Sequence, residues 1–190
     1  MDKKVAQITT VEDFFSLKDI ENLICLHNHE EYVSGSVGEG EIISNYRDVD
    51  ISYLDLSNTY FIDIVQKIVD TVFEANTRLW NFDLEGLNEN VQYLSYSKGQ
   101  HYKLHSDLIW DNINSDKLSR KCTFILQLSD PNSYKGGEVA LGFNDIDSLI
   151  IPKDIGSLTI FPSILVHKVK KVTEGTRNSI CGWVSGKSWK

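Results

Sequence analysis

The second half of the chain constrains the fold most, because it divides into short β-like runs separated by turns. These runs are rich in β-branched and aromatic residues, and no helical periodicity lies between them. They fall near residues 89–97, 101–110, 120–129, 137–142, 148–152, 156–161, 164–172 and 176–185. Evenly spaced strands without intervening helices favour an antiparallel sandwich or jelly roll over alternating strand–helix units. We therefore expect a jelly-roll core (double-stranded β-helix) of about eight antiparallel strands.

The first half of the chain predicts two helices and one strand. A capping-box-like Ser16-x-x-Asp19 precedes apolar residues at helical spacing and predicts a helix over about 17–28. A second helix is predicted over residues 59–80, where apolar residues recur on one face. Between the two helices, residues 45–56 alternate in the manner of a strand. We expect the helices to pack on the outer face of one sheet, which gives an α+β fold.

The chain is predicted to form a single domain over residues 1–190, with residues 1–87 supporting a jelly-roll core at 88–190. A chain of 190 residues can bury a sizeable core, and no linker or internal repeat divides it. No run approaches the roughly 18 apolar residues that span a bilayer, and the N-terminus lacks a secretory signal. Three widely separated cysteines suggest a reducing compartment. We therefore expect a cytoplasmic protein with no membrane partner.

The charge of the chain bears on its partners. With 19 lysines and arginines against 27 acidic residues, the net charge is −8. Surfaces that bind a phosphate backbone need a concentrated basic stripe, so nucleic acid is not an expected partner. A local basic patch is compatible with this composition.

The segment 101–110 carries a histidine and an aspartate in the arrangement of two metal ligands. His105 and Asp107 are separated by one residue on a predicted strand, so their side chains project from the same sheet face. His167 lies on another predicted strand, 167 − 107 = 60 positions later, which a jelly roll brings alongside. Two imidazoles and one carboxylate form the facial triad that holds Fe(II) with open coordination positions. We therefore predict an iron site at these three residues, with a chance occurrence of the H-x-D…H pattern as the alternative.

An arginine on the last predicted strand supplies an anion-binding group. Arg177 stands ten positions after His167, just past the turn at Glu174-Gly175. Its guanidinium suits bidentate binding of a carboxylate. The charges are coherent, because Fe²⁺ with one aspartate leaves about +1 and Arg177 adds another, against a dianion such as 2-oxoglutarate. The non-functional alternative is a solvated or ion-paired arginine on the surface of a strand.

Four stretches of the chain fit together as one pattern. They are VQYLSYSKGQHYKLHSD, KGGE, GSLTIFPSILVHKV and EGTRNSICGW, all within residues 88–190. In order and spacing they resemble the Fe(II)/2-oxoglutarate dioxygenases, most closely the prolyl 4-hydroxylase-like branch. The resemblance implies an enzyme that hydroxylates an organic substrate and releases succinate and CO₂. It implies Fe(II), 2-oxoglutarate and O₂ as cofactor and cosubstrates, with ascorbate left open, and it makes His105, Asp107 and His167 the catalytic iron ligands.

The same resemblance gives roles to four further residues. Arg177 becomes the partner of the cosubstrate's distal carboxylate, where this branch more often has lysine, and Tyr96 joins it through its hydroxyl. Trp183 and Arg120 are placed on the substrate side of the pocket. Read from the residues alone, Tyr96 and Trp183 are core aromatics and Arg120 is a strand-edge arginine facing water.

Two features qualify this pattern. Trp110 begins a polar loop after the H-x-D strand, and we count it as a candidate substrate-binding residue because a loop there would cover the iron site. An ordinary mobile loop is the alternative. Where many of these hydroxylases read GGET, this chain reads GGEV at residues 136–139, so that position lacks the family's hydroxyl.

Other histidines are not expected to bind metal. His27 and His29 lie at the end of a predicted helix, where residues two apart do not share a face, so we predict solvated surface histidines. His101 lies about 13 Å along the strand from His105 and is not expected to reach the iron.

The substrate is the least constrained part of the prediction. Related nucleic-acid demethylases carry a second arginine six positions after the first, where this chain has Trp183. A prolyl residue in a peptide or protein is therefore the expected substrate, with a free amino acid, a small metabolite or an alkylated nucleobase as alternatives. A zinc hydrolase is a different-class alternative that leaves Tyr96 and Arg177 without a role. A non-catalytic metal-binding jelly-roll module ranks last, because all three ligands are present.

Overall fold

The computed structural model describes residues 8–27, 32–35, 45–143 and 148–188. Two α-helices lie in the first half of the chain, α1 over Leu17–His27 and α2 over Thr59–Leu79. The two helix predictions are confirmed to within one residue at each end. Among the described helices, none is long and apolar enough to cross a membrane.

Both helices begin at capping groups that the sequence supplies. Ser16 and Asp19 form the reciprocal pair of a capping box, with Asp19 N–H donating to Ser16 Oγ at 3.2 Å and Ser16 N–H donating to Asp19 Oδ2 at 3.1 Å. The side chain of Asn58 accepts from Tyr60 N–H at 3.0 Å at the start of α2. These bonds satisfy amide donors that a helix leaves without partners.

Thirteen strands occur in the described residues, in two antiparallel sheets. The larger sheet consists of β1 (Thr9–Val11), β2 (Val33–Ser34), β4 (Asp50–Tyr53), β5 (Gly86–Leu87), β6 (Gln92–Ser97), β8 (Ser119–Gln127), β11 (Leu158–Pro162) and β13 (Thr176–Gly186). The smaller sheet consists of β3 (Arg47–Asp48), β7 (His101–His105), β9 (Val139–Leu141), β10 (Leu149–Ile150) and β12 (His167–Val169). A 3₁₀ turn at Trp110–Asn112 follows β7.

The strand order fits a jelly roll. The larger sheet runs β1-β11-β8-β13-β6-β4-β2, with β5 also paired to β13, and the smaller sheet runs β10-β9-β12-β7-β3. Each of the eight predicted runs overlaps one strand from β6 to β13, and the mainly antiparallel core is confirmed. The single strand predicted over residues 45–56 is wrong in detail, because β3 pairs with β7 in one sheet and β4 pairs with β6 in the other.

Two hydrophobic clusters lie on either side of the larger sheet. The first joins the helices to that sheet and includes Ile20, Ile68, Phe124 and Leu126. The second lies between the two sheets and includes Leu94, Phe161 and Trp183, together with strands of the smaller sheet. Strands from residues 1–87 pair into both sheets, while the division into a support region and a core remains a prediction.

Candidate active site

Three candidate metal ligands converge between the two sheets. His105 ends β7, His167 begins β12, and the two residues are direct partners across the antiparallel pair. Asp107 follows β7, and its backbone N–H donates to Ser163 O at 3.0 Å. One ligand atom from each of the three side chains lies within 4.8 Å of the others. Asp107 Oδ1 lies 3.7 Å from His105 Nε2, and Asp107 Oδ2 lies 3.5 Å from His167 Nε2.

Backbone carbonyl groups orient both imidazoles. His105 Nδ1 is 2.7 Å from Lys103 O, and His167 Nδ1 is 3.0 Å from Leu165 O. Because a carbonyl oxygen only accepts, each Nδ1 carries the proton and each Nε2 keeps its lone pair for a metal. Burial lowers the pKa of His105 to about 3, which favours the same neutral form. The two histidines therefore present the tautomer that a metal requires.

The aspartate is held by a hydroxyl. Thr123 Oγ1 donates to Asp107 Oδ2 at 2.8 Å and lies 3.0 Å from Ser163 Oγ. Burial by itself raises the pKa of Asp107, but His167, His105 and the Thr123 hydrogen bond lower it, and the net shift is downward. The carboxylate is therefore ionised and fixed in orientation by a buried side chain.

Arg177 lies fully inside the same cavity, with 1% of its surface exposed. Its Nη2 donates to Gln127 Oε1 at 2.9 Å, while its Nε has no hydrogen-bond partner among the described residues. Tyr96 is its partner across β6 and β13, and its ring centroid lies 5.8 Å from Arg177 Cζ. Burial raises the pKa of Tyr96, so its hydroxyl stays protonated as a donor. A buried guanidinium with an unused N–H is suited to an anionic ligand.

Glycines of the KGGE motif make room for this arginine. Gly136 and Gly137 have φ values of +76° and +65°, in the left-handed region that favours glycine. A Cβ on Gly137 would lie 3.1 Å from Arg177 Cδ, and a Cβ on Gly136 would lie 2.1 Å from Lys171 O. Val139 lines the cavity where many relatives are expected to carry a threonine. The hydroxyl of Ser179, two residues after Arg177, lines the cavity and has no partner among the described residues.

Arg47 and Tyr102 are among the cavity residues that sequence reasoning missed. The Tyr102 ring stacks on His105 with centroids 3.5 Å apart, and Arg47 Cζ lies 4.8 Å from the Tyr102 centroid. Arg47 also donates to Gln92 Oε1 at 3.1 Å. His105 is opposite His167 whereas Tyr102 is opposite Val169, so β7 carries one extra residue and both rings face inward. Tyr102 and His105 are three positions apart, and strict alternation along a strand would place them on opposite faces.

The predicted substrate residues lie at different depths. Trp183 is buried and lines the cavity, and its indole Nε1 has no partner among the described residues. Arg120 Cζ stacks 3.6 Å from the Trp183 ring, and Arg120 Nε donates to Glu89 Oε1 at 2.6 Å. Arg120 is therefore a paired residue beside the cavity wall. Trp110 is 67% exposed, in the turn after the H-x-D strand, and is not part of the cavity lining.

His27 corrects one expectation. It is not a solvated surface histidine, because only 1% of its surface is exposed and its ring stacks on Tyr93 with centroids 4.0 Å apart. Its Nε2 is hydrogen-bonded with the hydroxyl of Ser52. The C-terminal end of α1 packs inward at this point, which helical periodicity alone does not show. His29 lies outside the described residues.

Comparison with known proteins places this geometry in a family. The sequence model of the 2OG-Fe(II) oxygenase superfamily matches residues 91–185, which include the three candidate ligands and Arg177. The chain belongs to this superfamily. The membership confirms the resemblance drawn from the sequence motifs, and the oxygenase family implies Fe(II) and 2-oxoglutarate as cofactor and cosubstrate.

Relatives in sequence carry hydroxylase names. A PKHD-type hydroxylase of Prochlorococcus marinus is 30% identical over 132 residues, covering 69% of this chain and 57% of that protein. A PKHD-type hydroxylase of Parvibaculum lavamentivorans is 36% identical over 113 residues, covering 60% and 47%. The chain thus spans about half the length of these two relatives.

Solved structures share the fold at low sequence identity. A Pseudomonas putida prolyl-4-hydroxylase superposes with a TM-score of 0.75 at 17% identity, covering 96% of this chain and 94% of that one. A Trichoplax adhaerens prolyl hydroxylase, in complex with a hypoxia inducible factor peptide fragment, gives 0.74 at 18% identity, covering 94% and 83%. These similarities confirm a jelly-roll-like oxygenase fold.

Proposed function

We propose that this protein is an Fe(II)- and 2-oxoglutarate-dependent dioxygenase that hydroxylates an organic substrate, with a prolyl residue of a peptide or protein as the expected target. One observation carries the proposal. Three metal ligands in the correct tautomeric and ionic states share a cavity with a buried arginine that has an unused N–H donor. A metal site that binds no anionic cosubstrate would explain the three ligands but not the buried arginine.

The donor set fits iron. Two neutral imidazoles and one carboxylate from one side leave the remaining positions open, as in the facial triad of non-haem Fe(II) oxygenases. Bound Fe(II), together with 2-oxoglutarate and O₂, supplies the oxidising chemistry that inserts oxygen into a C–H bond. Lys103 O, Leu165 O and Thr123 hold the three ligands in place through their hydrogen bonds.

The cavity charges fit a dianionic cosubstrate. Arg177 and Arg47 both line the cavity, and Asp107 is its only lining carboxylate among the described residues. With Fe²⁺ the sum is +2 + 1 + 1 − 1 = +3, which a dianion reduces to +1. We assign the distal carboxylate to Arg177, with the Tyr96 hydroxyl as a second donor. Gln127 positions the guanidinium by accepting one of its N–H groups.

The assignment of a prolyl target is supported at the cavity wall. Trp183 offers an apolar ring and an N–H that has no partner in the described part of the chain, which suits a small apolar ring joined to a peptide carbonyl. Trp110 and Ile164, near the triad in sequence, expose 67% and 47% of their surfaces and provide apolar contacts for a polypeptide. The hydroxylase names of the relatives and the prolyl hydroxylase neighbours point the same way.

The experiment that tests this function measures succinate. Protein loaded anaerobically with Fe(II) is given 2-oxoglutarate and then O₂, with and without a proline-rich peptide. Wild type is compared with His105→Ala and with the control His27→Gln, a buried histidine that packs on Tyr93 outside the triad. We expect turnover that needs Fe(II) and His105, survives His27→Gln, and rises with the peptide.

Each other outcome changes a different part of the proposal. Turnover that needs His105 but ignores the peptide would keep the oxygenase and reassign the substrate to a free amino acid, metabolite or nucleobase. No turnover, together with no calorimetric binding of 2-oxoglutarate to the iron-loaded protein, would overturn the oxygenase. In that case a zinc hydrolase or a metal-binding module would take its place.

A further inference from the structure

A groove on the outer face of the smaller sheet concentrates positive charge. We call it the lysine groove, and its lining consists of His101, Tyr102, Lys103, Lys168, Val169, Lys170 and Lys171. Among the described residues, four lysines and no acidic residue line it, in a chain whose net charge is −8. From the net charge of the chain, a surface patch is expected to carry negative rather than positive charge.

The sheet geometry explains why these lysines share one face. Side chains alternate along a strand, so His167 and Val169 face the other sheet while Lys168 and Lys170 point outward. Lys103, on the paired strand β7, is exposed on the same outer face. The two strands that carry the histidine ligands on their inner side thus carry lysines on their outer side.

Three of the groove lysines differ from two exposed lysines elsewhere in the protein. Lys135 lies 2.9 Å from Glu174, and Lys187 lies 3.4 Å from Asp83. Lys103, Lys170 and Lys171 form no ion pair with any residue in the described part of the chain. Like charges placed this close repel one another, and an anion in the groove would relieve that repulsion.

The groove suits an acidic polypeptide segment better than a nucleic acid. Tyr102 lines the groove, but its ring is already stacked on His105, which leaves less ring surface for stacking bases. The overall charge of −8 repels a long polyanion but allows a short acidic stretch to bind over a short range. Lys170 and Lys171 follow β12 and Lys103 lies on its partner strand β7, so a short run of carboxylates on an extended peptide can contact more than one of these three lysines.

We propose that the lysine groove binds an acidic segment of the polypeptide that the enzyme hydroxylates. This inference rests on the proposed function, since it names a second contact of the same substrate. The acidic segment would lie outside the cavity, and the five residues of β7 from His101 to His105 make four steps, about 13 Å. Target residue and acidic segment would therefore be separated by at least about four extended residues. Substrate choice would then depend on both sequence features together.

Binding is tested without turnover. A fluorescein-labelled eight-residue peptide of alternating Glu and Ser is titrated with wild-type protein, and anisotropy is recorded at low and physiological salt. K170E/K171E reverses two groove charges, and K135E/K187E reverses two charges outside the groove; each variant has a net charge of −8 − 4 = −12. We expect the groove variant to lose about tenfold or more in affinity while the control changes less than about twofold. Thermal unfolding verifies that both variants fold.

Three results would overturn the proposal. The first is a wild type that does not distinguish the Glu-Ser peptide from a Gln-Ser peptide. The second is an equal loss in both double variants, which would mean that only net charge matters. The third is tighter, groove-dependent binding of a single-stranded oligonucleotide, which would assign the groove to nucleic acid. His105→Ala should keep peptide binding while losing succinate formation, so failure of the oxygenase and failure of the groove are separately visible.

Discussion

The two faces of the larger sheet show how one strand serves two purposes. Along β13, alternate residues turn to opposite sides. The cavity side receives Arg177, Ser179, Cys181 and Trp183. The helix side receives Ile180 and Val184, which join the cluster under α1 and α2. The same alternation separates Tyr96 from Tyr93 on β6 and Ile125 from Leu126 on β8.

The two faces contribute differently to the free energy of folding. The helix side is filled with aliphatic and aromatic side chains, whose burial favours folding. The cavity side buries polar groups that have no hydrogen-bond partner within the described ranges, including Arg177 Nε, Ser179 Oγ and Trp183 Nε1. Burying such groups costs free energy without a ligand. Sites of function are where such costs are expected. Substitutions on the two faces should therefore affect different measurements.

The largest expected effect is on the helix side. Leu126→Ala removes a fully buried side chain from the cluster beneath the helices. We expect the free energy of unfolding to fall by about 2–5 kcal/mol, measured by urea denaturation. The KM for 2-oxoglutarate should stay within about twofold of wild type. A larger change in KM would show that the two faces are not independent.

On the cavity side, Arg177→Met should act on cosubstrate binding. Losing a charge-assisted bidentate contact is expected to raise the KM for 2-oxoglutarate by about 100-fold, measured from succinate formation. Arg177→Lys keeps the positive charge and an N–H donor and should lose less. An unchanged KM in Arg177→Met would remove Arg177 from the cosubstrate site.

The buried His27 makes the helix side sensitive to acid. Burial lowers its pKa to about 4, against about 6.5 in an unfolded chain. The unfolded state then binds more protons between these values, so this stability is complete above pH 6.5 and is lost as pH falls toward 4. We expect wild type to lose about 1–2 kcal/mol more than His27→Gln between pH 7 and pH 5. Parallel pH profiles of unfolding would contradict this role.

The smallest effect concerns the hydroxyl that holds Asp107. Thr123→Val keeps the shape of the side chain and removes the hydrogen bond. We expect about tenfold weaker Fe(II) binding in anaerobic calorimetry. Thr159→Val is the matched control, because Thr159 is equally buried and bonds to Thr10 instead of a metal ligand. Equal weakening in both variants would point to a general loss of packing.

Local pattern was sufficient for much of the fold. Helical spacing and a capping box located α1 and α2, and the run-and-turn texture located all eight strands from β6 to β13. Local pattern was not sufficient for residues 45–56, which look like one strand but divide between two sheets at Val49. Sheet membership depends on which partner strand is near, and short-range alternation carries no information about that.

The sequence by itself determined the candidate ligands His105, Asp107 and His167, because a metal site needs particular residue types at spacings that a strand fixes. It also determined Arg177 through its motif. Only the tertiary structure placed Arg47 and Tyr102 beside these ligands, through a register shift in β7 that alternation does not predict. Only the tertiary structure buried His27 and gathered four lysines on one outer face. The physical reason is that burial and charge clustering arise between segments distant in sequence, whereas ligand type and strand periodicity are local.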